Sequence, residues 1–321
     1  MSSILLTGPT GFIGSNLTQY LCVKNYSLIV TTRKNSTALK FNTQQVNLGE
    51  ILADTDWRSV LNNTKVIIHL AARAHILKDQ ATDLLAAFRE TNTYATLNLA
   101  RQAANAGVQR FIFISSIGVN GNQTYDKSFT ADSPPAPATP YAISKHEAEI
   151  GLRQIAEKTG MEVVIIRPPL VYGANAPGNF GQLIKIVQKH LPLPLGSIQN
   201  QRSFVALPNL IDLITTCIEH PAAANQTLLV SDGEDLSTTD LLRRLNIALE
   251  KTPRLIPVPQ KLLETALNLL GKQDIAQRLC GNLQIDMTKT RHLLDWSPPL
   301  TVDEALRQTA QVYLKQEINS F

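Results

Sequence analysis

Through the first half of the chain, short apolar runs alternate with longer stretches whose apolar residues recur at every third and fourth position. The runs Ile4 to Thr7, Leu28 to Thr32, Val66 to Leu70, Phe111 to Ile114 and Val163 to Ile166 are largely apolar at successive positions. A strand with one wet face would alternate, so these runs read as strands buried on both faces of a parallel sheet. Helical periodicity over Phe12 to Val23, Asp83 to Ala106 and Pro140 to Glu157 supplies the crossovers between them. The order predicts an α/β fold: a Rossmann-type doubly wound parallel sheet.

From Arg167 onward the pattern turns irregular, with Pro168-Pro169 and the Pro- and Gly-rich stretch Pro192 to Gly196 among helices. Ser237-Thr238-Thr239-Asp240 reads as a capping box, and Val302 to Leu314 has helical periodicity. A smaller C-terminal domain is expected, partly interleaved with the first. Phe204 to Glu219 and Thr227 to Val230 have the character of segments that return to the first sheet. The expected division is therefore 1–166 with about 203–231 in the first domain, and 167–202 with 232–321 in the second.

Composition narrows the class. The 321 residues are 44% hydrophobic and 17% charged, enough to bury a substantial interior and unlike a disordered chain. The net charge of +4 is spread without a Lys/Arg run, so the sequence points to no nucleic-acid or membrane partner, while a compact anionic ligand fits. Cys22, Cys217 and Cys280 are too scattered for a disulfide framework or a zinc site; no metal is expected, and a cytoplasmic location is the default. No apolar run approaches the ~20 residues needed to cross a bilayer. His69 reads as a packed strand-end residue, His75 and His146 have no ligand-spaced partner, and Trp57 and Trp296 read as packing residues.

Candidate chemistry begins where the first strand runs into Thr7-Gly8-Pro9-Thr10-Gly11-Phe12-Ile13-Gly14. Gly8, Gly11 and Gly14 let the backbone turn sharply and approach a pyrophosphate at the N-terminus of the following helix, where free N–H groups favour negative charge. The second strand ends in Thr32-Arg33-Lys34, where an NAD-binding protein usually places a carboxylate. Two cations there suit a 2′-phosphate, so NADP(H) is favoured and NAD is possible. The strand Phe111 to Ile114 leads into Ser115-Ser116 at the ligand-binding edge of the sheet. Tyr141 and Lys145 follow at i and i+4 of a helix opened by Thr139 and Pro140, so they share one face. An ammonium beside the phenol would favour phenolate, making Tyr141 a proton donor and acceptor while Ser116 holds the same substrate oxygen.

With these motifs in order, the chain resembles the extended short-chain dehydrogenase/reductases, in the nucleotide-sugar epimerase, dehydratase and reductase group. The resemblance runs from TGPTGFIG at 7–14 through HLAA at 69–72, SSIGVNG at 115–121, YAISK at 141–145 and RPPLVYG at 167–173 to RSFV at 202–205. It implies that Ser116, Tyr141 and Lys145 form the catalytic triad, with Lys145 also touching the nicotinamide ribose. It implies a cofactor site of Gly8, Thr10, Gly11, Phe12, Ile13, Gly14, Arg33, Asn47, Leu48, Leu70, Ala71, Ala72, Asn92, Tyr141, Lys145 and Pro168. Arg73, Ser116, Asn179 and Arg202 would bind substrate, Arg202 by gripping a diphosphate. Three departures stand out: Asn47 where many members have an Asp, Arg33 in place of an acid, and Ala206-Leu207 in place of His-Val.

The wording of HLAARAH at 69–75, PLPLG at 192–196 and VSDGEDLST at 230–238 is similar to a branch acting on UDP-N-acetylamino sugars in surface-polysaccharide, including lipopolysaccharide, biosynthesis. Two enzyme readings follow from the resemblance. One is NADPH-dependent reduction of a UDP-4-keto-6-deoxy-N-acetylhexosamine, favoured by Arg33. The other is a UDP-glucose or UDP-N-acetylglucosamine 4-epimerase with tightly bound NAD. A non-catalytic dinucleotide sensor is the third reading, but Tyr141 and Lys145 are both retained. A helical homodimer with a UDP-sugar as partner is the expected assembly.

Overall fold

The computed structural model describes residues 3–33, 43–74 and 83–318; Lys34 and His75 lie outside the described residues. Ten strands are described: β1 (Ser3–Thr7), β2 (Leu28–Thr32), β3 (Gln44–Asn47), β4 (Thr64–His69), β5 (Arg110–Ile114), β6 (Glu162–Arg167), β7 (Leu170–Tyr172), β8 (Arg202–Ala206), β9 (Thr227–Leu229) and β10 (Asp235–Leu236). Seven form a sheet in the order β3-β2-β1-β4-β5-β6-β9. Every pairing in it is parallel. The chain winds outward from β1 to β3 on one side and from β4 to β9 on the other. The direction reverses between β1 and β4, and a crevice opens there at the carboxyl ends, the place where such sheets bind ligands.

Helices cover both faces, which explains the continuous apolar runs. On one face Leu17 and Leu21 of the helix Phe12–Val23, with Leu210 and Ile214 of Leu207–Glu219, pack on Ile4, Leu6 and Ile112. On the other, Leu99 and Ala103 of Ala95–Asn105 and Ala148 and Leu152 of Pro140–Thr159 pack on Leu5, Ile67, Phe111 and Phe113. Strand β3 carries mostly exposed polar residues at the sheet's edge, so no hydrophobic pattern marked it.

A smaller sheet, β10-β8-β7, anchors a second core around Tyr172, Phe180, Leu242 and Leu306. Here the expected boundary moves. Arg202–Ala206 pairs with β7 and β10, so it does not rejoin the large sheet. The return begins at Leu207, whose helix packs on the large core, and is completed when Thr227–Leu229 pairs with β6. One strand thus faces both cores: Val205 packs with the first, Phe204 and Ala206 with the second.

Candidate active site

The Gly8 turn is built by close approach. Gly8 has φ +72°, and a β-carbon there would stand 2.9 Å from Ala71 N, so the turn lies directly on the end of β4. A β-carbon on Gly14 would stand 2.0 Å from the Gly8 carbonyl oxygen; only glycine lets the helix begin so near the strand. Gly11 is the N-cap of Phe12–Val23 and no side chain caps it, which leaves the helix's first N–H groups for an anion. Thr10 and Gly11 are exposed, and Phe12 and Ile13 half-buried, around that opening.

The neighbouring strand ends complete the crevice. Leu70 and Ala71 follow β4 beside Gly8, and Ala71 N–H donates to Thr7 Oγ1 (3.1 Å). Buried His69 bridges Thr7 Oγ1 (2.8 Å) and Thr96 Oγ1 (2.9 Å) through its two ring nitrogens. Burial, with a smaller push from the Lys145 charge, lowers its pKa to about 3, so it is a neutral spacer. Arg33 is exposed just beyond β2, and Leu48, beyond β3, donates its N–H to Thr32 O (3.1 Å), which brings Asn47 and Leu48 to the same edge. Pro168 is buried and accepts from Ile117 N–H (3.0 Å).

Around the catalytic candidates the packing is specific. Thr139 caps the helix Pro140–Thr159 through Ala142 N–H (3.2 Å), with Pro140 at its first turn. Ser116 Oγ accepts from Gly118 N–H (3.1 Å). A β-carbon on Gly118 would lie 3.3 Å from Ser116 Oγ and 3.4 Å from Ala142 Cβ, so Ser116 sits against the residue after Tyr141. Lys145, 1% exposed, holds its Nζ 3.9 Å from the Phe113 ring centroid. Tyr141 meets Phe88 edge-on at 6.0 Å, and the Arg73 guanidinium lies 6.0 Å from the same Phe88 ring, which places Arg73 alongside the tyrosine.

One electrostatic expectation fails in the chain by itself. Burial raises the Tyr141 phenol to about 12 and is the cause of the shift. The same burial lowers the Lys145 ammonium to about 7, only partly offset by Glu149, so the cation that should favour phenolate is itself weakened. Neither the Tyr141 hydroxyl nor Lys145 Nζ has a protein hydrogen-bond partner among the described residues. Two polar groups left without protein partners are open to hydrogen bonds from a bound molecule.

Asn92 sits in a turn of π-helix, Glu90–Tyr94, between the helices Leu84–Arg89 and Ala95–Asn105. The bulge aims its buried amide at two elements: Oδ1 accepts from Arg73 N–H (2.8 Å), and Nδ2 donates to Arg73 O (3.1 Å) and Ser144 Oγ (3.1 Å). The loop after β4 and the Tyr141 helix are thereby pinned together.

At the second sheet, Arg202 starts β8 and donates to Gly281 O (2.9 Å). Burial lowers its pKa, and the nearby Arg278 charge lowers it further. Arg278 has no carboxylate partner among the described residues. Exposed Arg278 and half-buried Arg202 therefore put two positive charges on one side of the small sheet, a place where an anion would be favoured. Arg278 was invisible in sequence, because it is 76 positions downstream and only the fold makes the pair. Asn179 is exposed in the first turn of Gly178–Gln188, held by buried Phe180 against Tyr172 (5.3 Å).

A buried ion cluster was also missed. Glu149, on the Tyr141 helix, accepts from Ser115 Oγ (2.6 Å), Arg167 Nε (2.9 Å) and Arg153 Nη2 (3.0 Å), and Arg167 also donates to Asn120 Oδ1 (2.9 Å). Burial alone would raise the Glu149 pKa, but Arg167, Ser115 and Arg153 outweigh it and hold the carboxyl low. The cluster joins the Tyr141 and Lys145 helix to the residue beside Ser116 and to the end of β6.

No helix of the described chain is long and apolar enough to cross a membrane, and no group of metal-ligating side chains occurs among the described residues. A "UDP-glucose 4-epimerase" of Vibrio cholerae is 48% identical over 315 residues, covering 98% of this chain and 96% of its own. Among solved structures, the UDP-glucuronic acid 4-epimerase of Bacillus cereus in complex with NAD superposes with a TM-score of 0.77 at 23% identity, over 99% of this chain and 98% of that one. The UDP-glucose 4-epimerase of Thermotoga maritima with UDP-glucose gives 0.74 at 20% identity, over 98% and 99%. The family model for the NAD dependent epimerase/dehydratase family matches residues 4–230, and with these glycines, serine, tyrosine and lysine in place the chain belongs to that family.

Proposed function

We propose that the protein interconverts UDP-sugars epimeric at C4, with a nicotinamide dinucleotide that stays bound through each cycle. The observation that supports this most is the near full-length 48% identity to the Vibrio cholerae UDP-glucose 4-epimerase, joined to the retained Ser116, Tyr141 and Lys145. When bound, the nicotinamide supplies a reversible acceptor for the C4 hydrogen and its electron pair. Tyr141 takes the proton from the C4 hydroxyl and later returns it, while Ser116 hydrogen-bonds the same oxygen. Lys145, closed by the ribose, regains charge beside the phenol and brings its pKa down from about 12. Arg202 and Arg278 hold the diphosphate, and Asn179 and Arg73 line the sugar. The protein works as a homodimer in the cytoplasm and supplies surface-polysaccharide assembly.

The reductase reading keeps one supporting observation, exposed Arg33 beyond β2, whose charge favours a 2′-phosphate. An epimerase consumes no cofactor, so that charge does not choose the reaction, and the preference moves from the reductase to the epimerase. The test is stoichiometry. UDP-glucose and UDP-galactose, or their N-acetylamino counterparts, should interconvert without net change in cofactor. Oxidation of one NADPH per 4-keto sugar consumed would establish the reductase instead. Cofactor released from the denatured protein should be NAD; NADP there would give Arg33 the role its charge suggests.

The arginine pair gives a separate expectation. Arg202→Ala and Arg278→Ala should each weaken UDP binding by about one to two decades, the worth of charge-assisted hydrogen bonds to phosphate. Calorimetry with UDP alone measures this. Unchanged affinity in either variant would remove that arginine from the diphosphate site.

A further inference from the structure

Lys145 carries its ammonium into the interior without an acid to meet it. Nζ has no hydrogen-bond partner among the described residues, and the Glu149 carboxylate one turn on is taken by Ser115, Arg167 and Arg153. What Nζ does meet is an aromatic face: it stands 3.9 Å from the centroid of the Phe113 ring. An ammonium over such a face is attracted by the ring's quadrupole, and the attraction grows where water is excluded, as it is around a residue 1% exposed.

The ring is itself fixed. Phe113 is fully buried in β5, paired in register with His69 of β4 and flanked by Ile165 of β6. His69 stacks on it at 6.0 Å with 16° between the ring planes, and His69 is held at both ring nitrogens by Thr7 and Thr96. Ala148 and Leu152 of the Lys145 helix belong to the same core. A ring so held fixes the end of a lysine stem that is otherwise flexible. The titratable groups that act on Lys145 are Glu149 on its own helix and His69, which is neutral. On the elements packed around that helix, Arg89 pairs with Glu147, Arg153 and Arg167 pair with Glu149, and Arg73 lies over Phe88.

We propose that Phe113 is a positioning residue for Lys145: its ring face holds the ammonium, in charged form, where a dinucleotide's ribose and the Tyr141 phenol meet it. The inference rests on the reading of Lys145 as a dinucleotide ligand and goes beyond it, since core packing by itself accounts for a phenylalanine in β5.

Dinucleotide titration of the full-length protein tests it, apart from turnover. Phe113 is replaced by a phenylalanine trifluorinated on its ring, which withdraws negative charge from the face and nearly keeps its size. Lys145, with its pKa lowered to about 7, is already charged well below that value and takes up a proton on binding only above it. The fluorinated ring should therefore weaken binding about tenfold at about pH 8.5, within the worth of a desolvated cation–π contact, and less than about twofold at about pH 5.5. Phe113→Leu, which removes the face, should show the same split added to a packing loss that does not vary with pH. In a Lys145→Met background the split should vanish. An equal loss at both pH values, no loss at either, or a split that persists in Lys145→Met would overturn the inference and leave the cofactor reading standing. A parent protein that binds no dinucleotide would overturn both.

Discussion

Tyr141→Phe is expected to lower turnover about 10²–10⁴-fold, the usual contribution of a positioned acid and base. Cofactor affinity and unfolding midpoint should stay near those of the parent. The separation follows from the geometry. The hydroxyl has no protein hydrogen-bond partner among the described residues, so its removal orphans nothing, while the ring keeps its edge contact with Phe88. Lys145→Met should differ by weakening cofactor binding as well as turnover, since its ammonium lies buried beside Phe113 with no protein acceptor. Dinucleotide titration and steady-state rates on both variants check this. More than a tenth of parental turnover in Tyr141→Phe would remove the tyrosine from proton transfer.

Glu149→Ala should have the largest effect on stability. Arg167 has a side chain only 2% exposed, and removal of its carboxylate partner leaves a buried guanidinium with the neutral Asn120 amide oxygen and no counter-charge. Breaking such a pair costs about 3–5 kcal/mol, whereas replacing both partners with apolar residues of similar volume is often close to neutral. Glu149→Met with Arg167→Met should therefore recover much of the stability lost in the single variant, as read from denaturant midpoints. Recovered stability need not restore rate, because Glu149 ties the Lys145 helix to Ser115, the residue before Ser116. Equal midpoints for Glu149→Ala and the parent would show that the cluster is not a determinant of stability.

The same cluster sets a pH dependence. The Glu149 carboxyl is held below its ordinary value in the folded chain, so the unfolded chain binds the extra proton first as pH falls. Its contribution is present in full above the ordinary carboxylate range and is lost as pH falls through the lower, folded value. Lys145 acts with the same sign in a higher window: its folded pKa of about 7 lies below the ordinary 10.5, so the unfolded chain binds more protons between the two. Stability from this residue rises with pH across that window. Unfolding midpoints measured across pH in parent and Lys145→Met should differ in slope there.

The sequence by itself determined the elements that are buried on two faces or punctuated by special residues. Five central strands were legible because helices on both sides demand continuous apolar runs, and the helix Pro140–Thr159 because Thr139 and Pro140 mark its start. Gly8 and Gly14 were legible because no other residue fits a turn pressed on Ala71 and on its own helix. The positions of Ser116 after β5 and of Tyr141 and Lys145 one turn apart on Pro140–Thr159 were legible because a strand end and one helix turn are local features. Tertiary structure alone decided what depends on distant partners. Strand β3 is a polar edge held by β2, and β8 pairs in the small sheet because Phe204 and Ala206 face its core. Arg202 meets Arg278, and Glu149 meets Arg167, only when separate elements pack. Burial then reversed a local expectation: spacing puts Lys145 one turn from Tyr141, but the desolvation that surrounds both raises the phenol and weakens the ammonium, an effect no spacing can reveal.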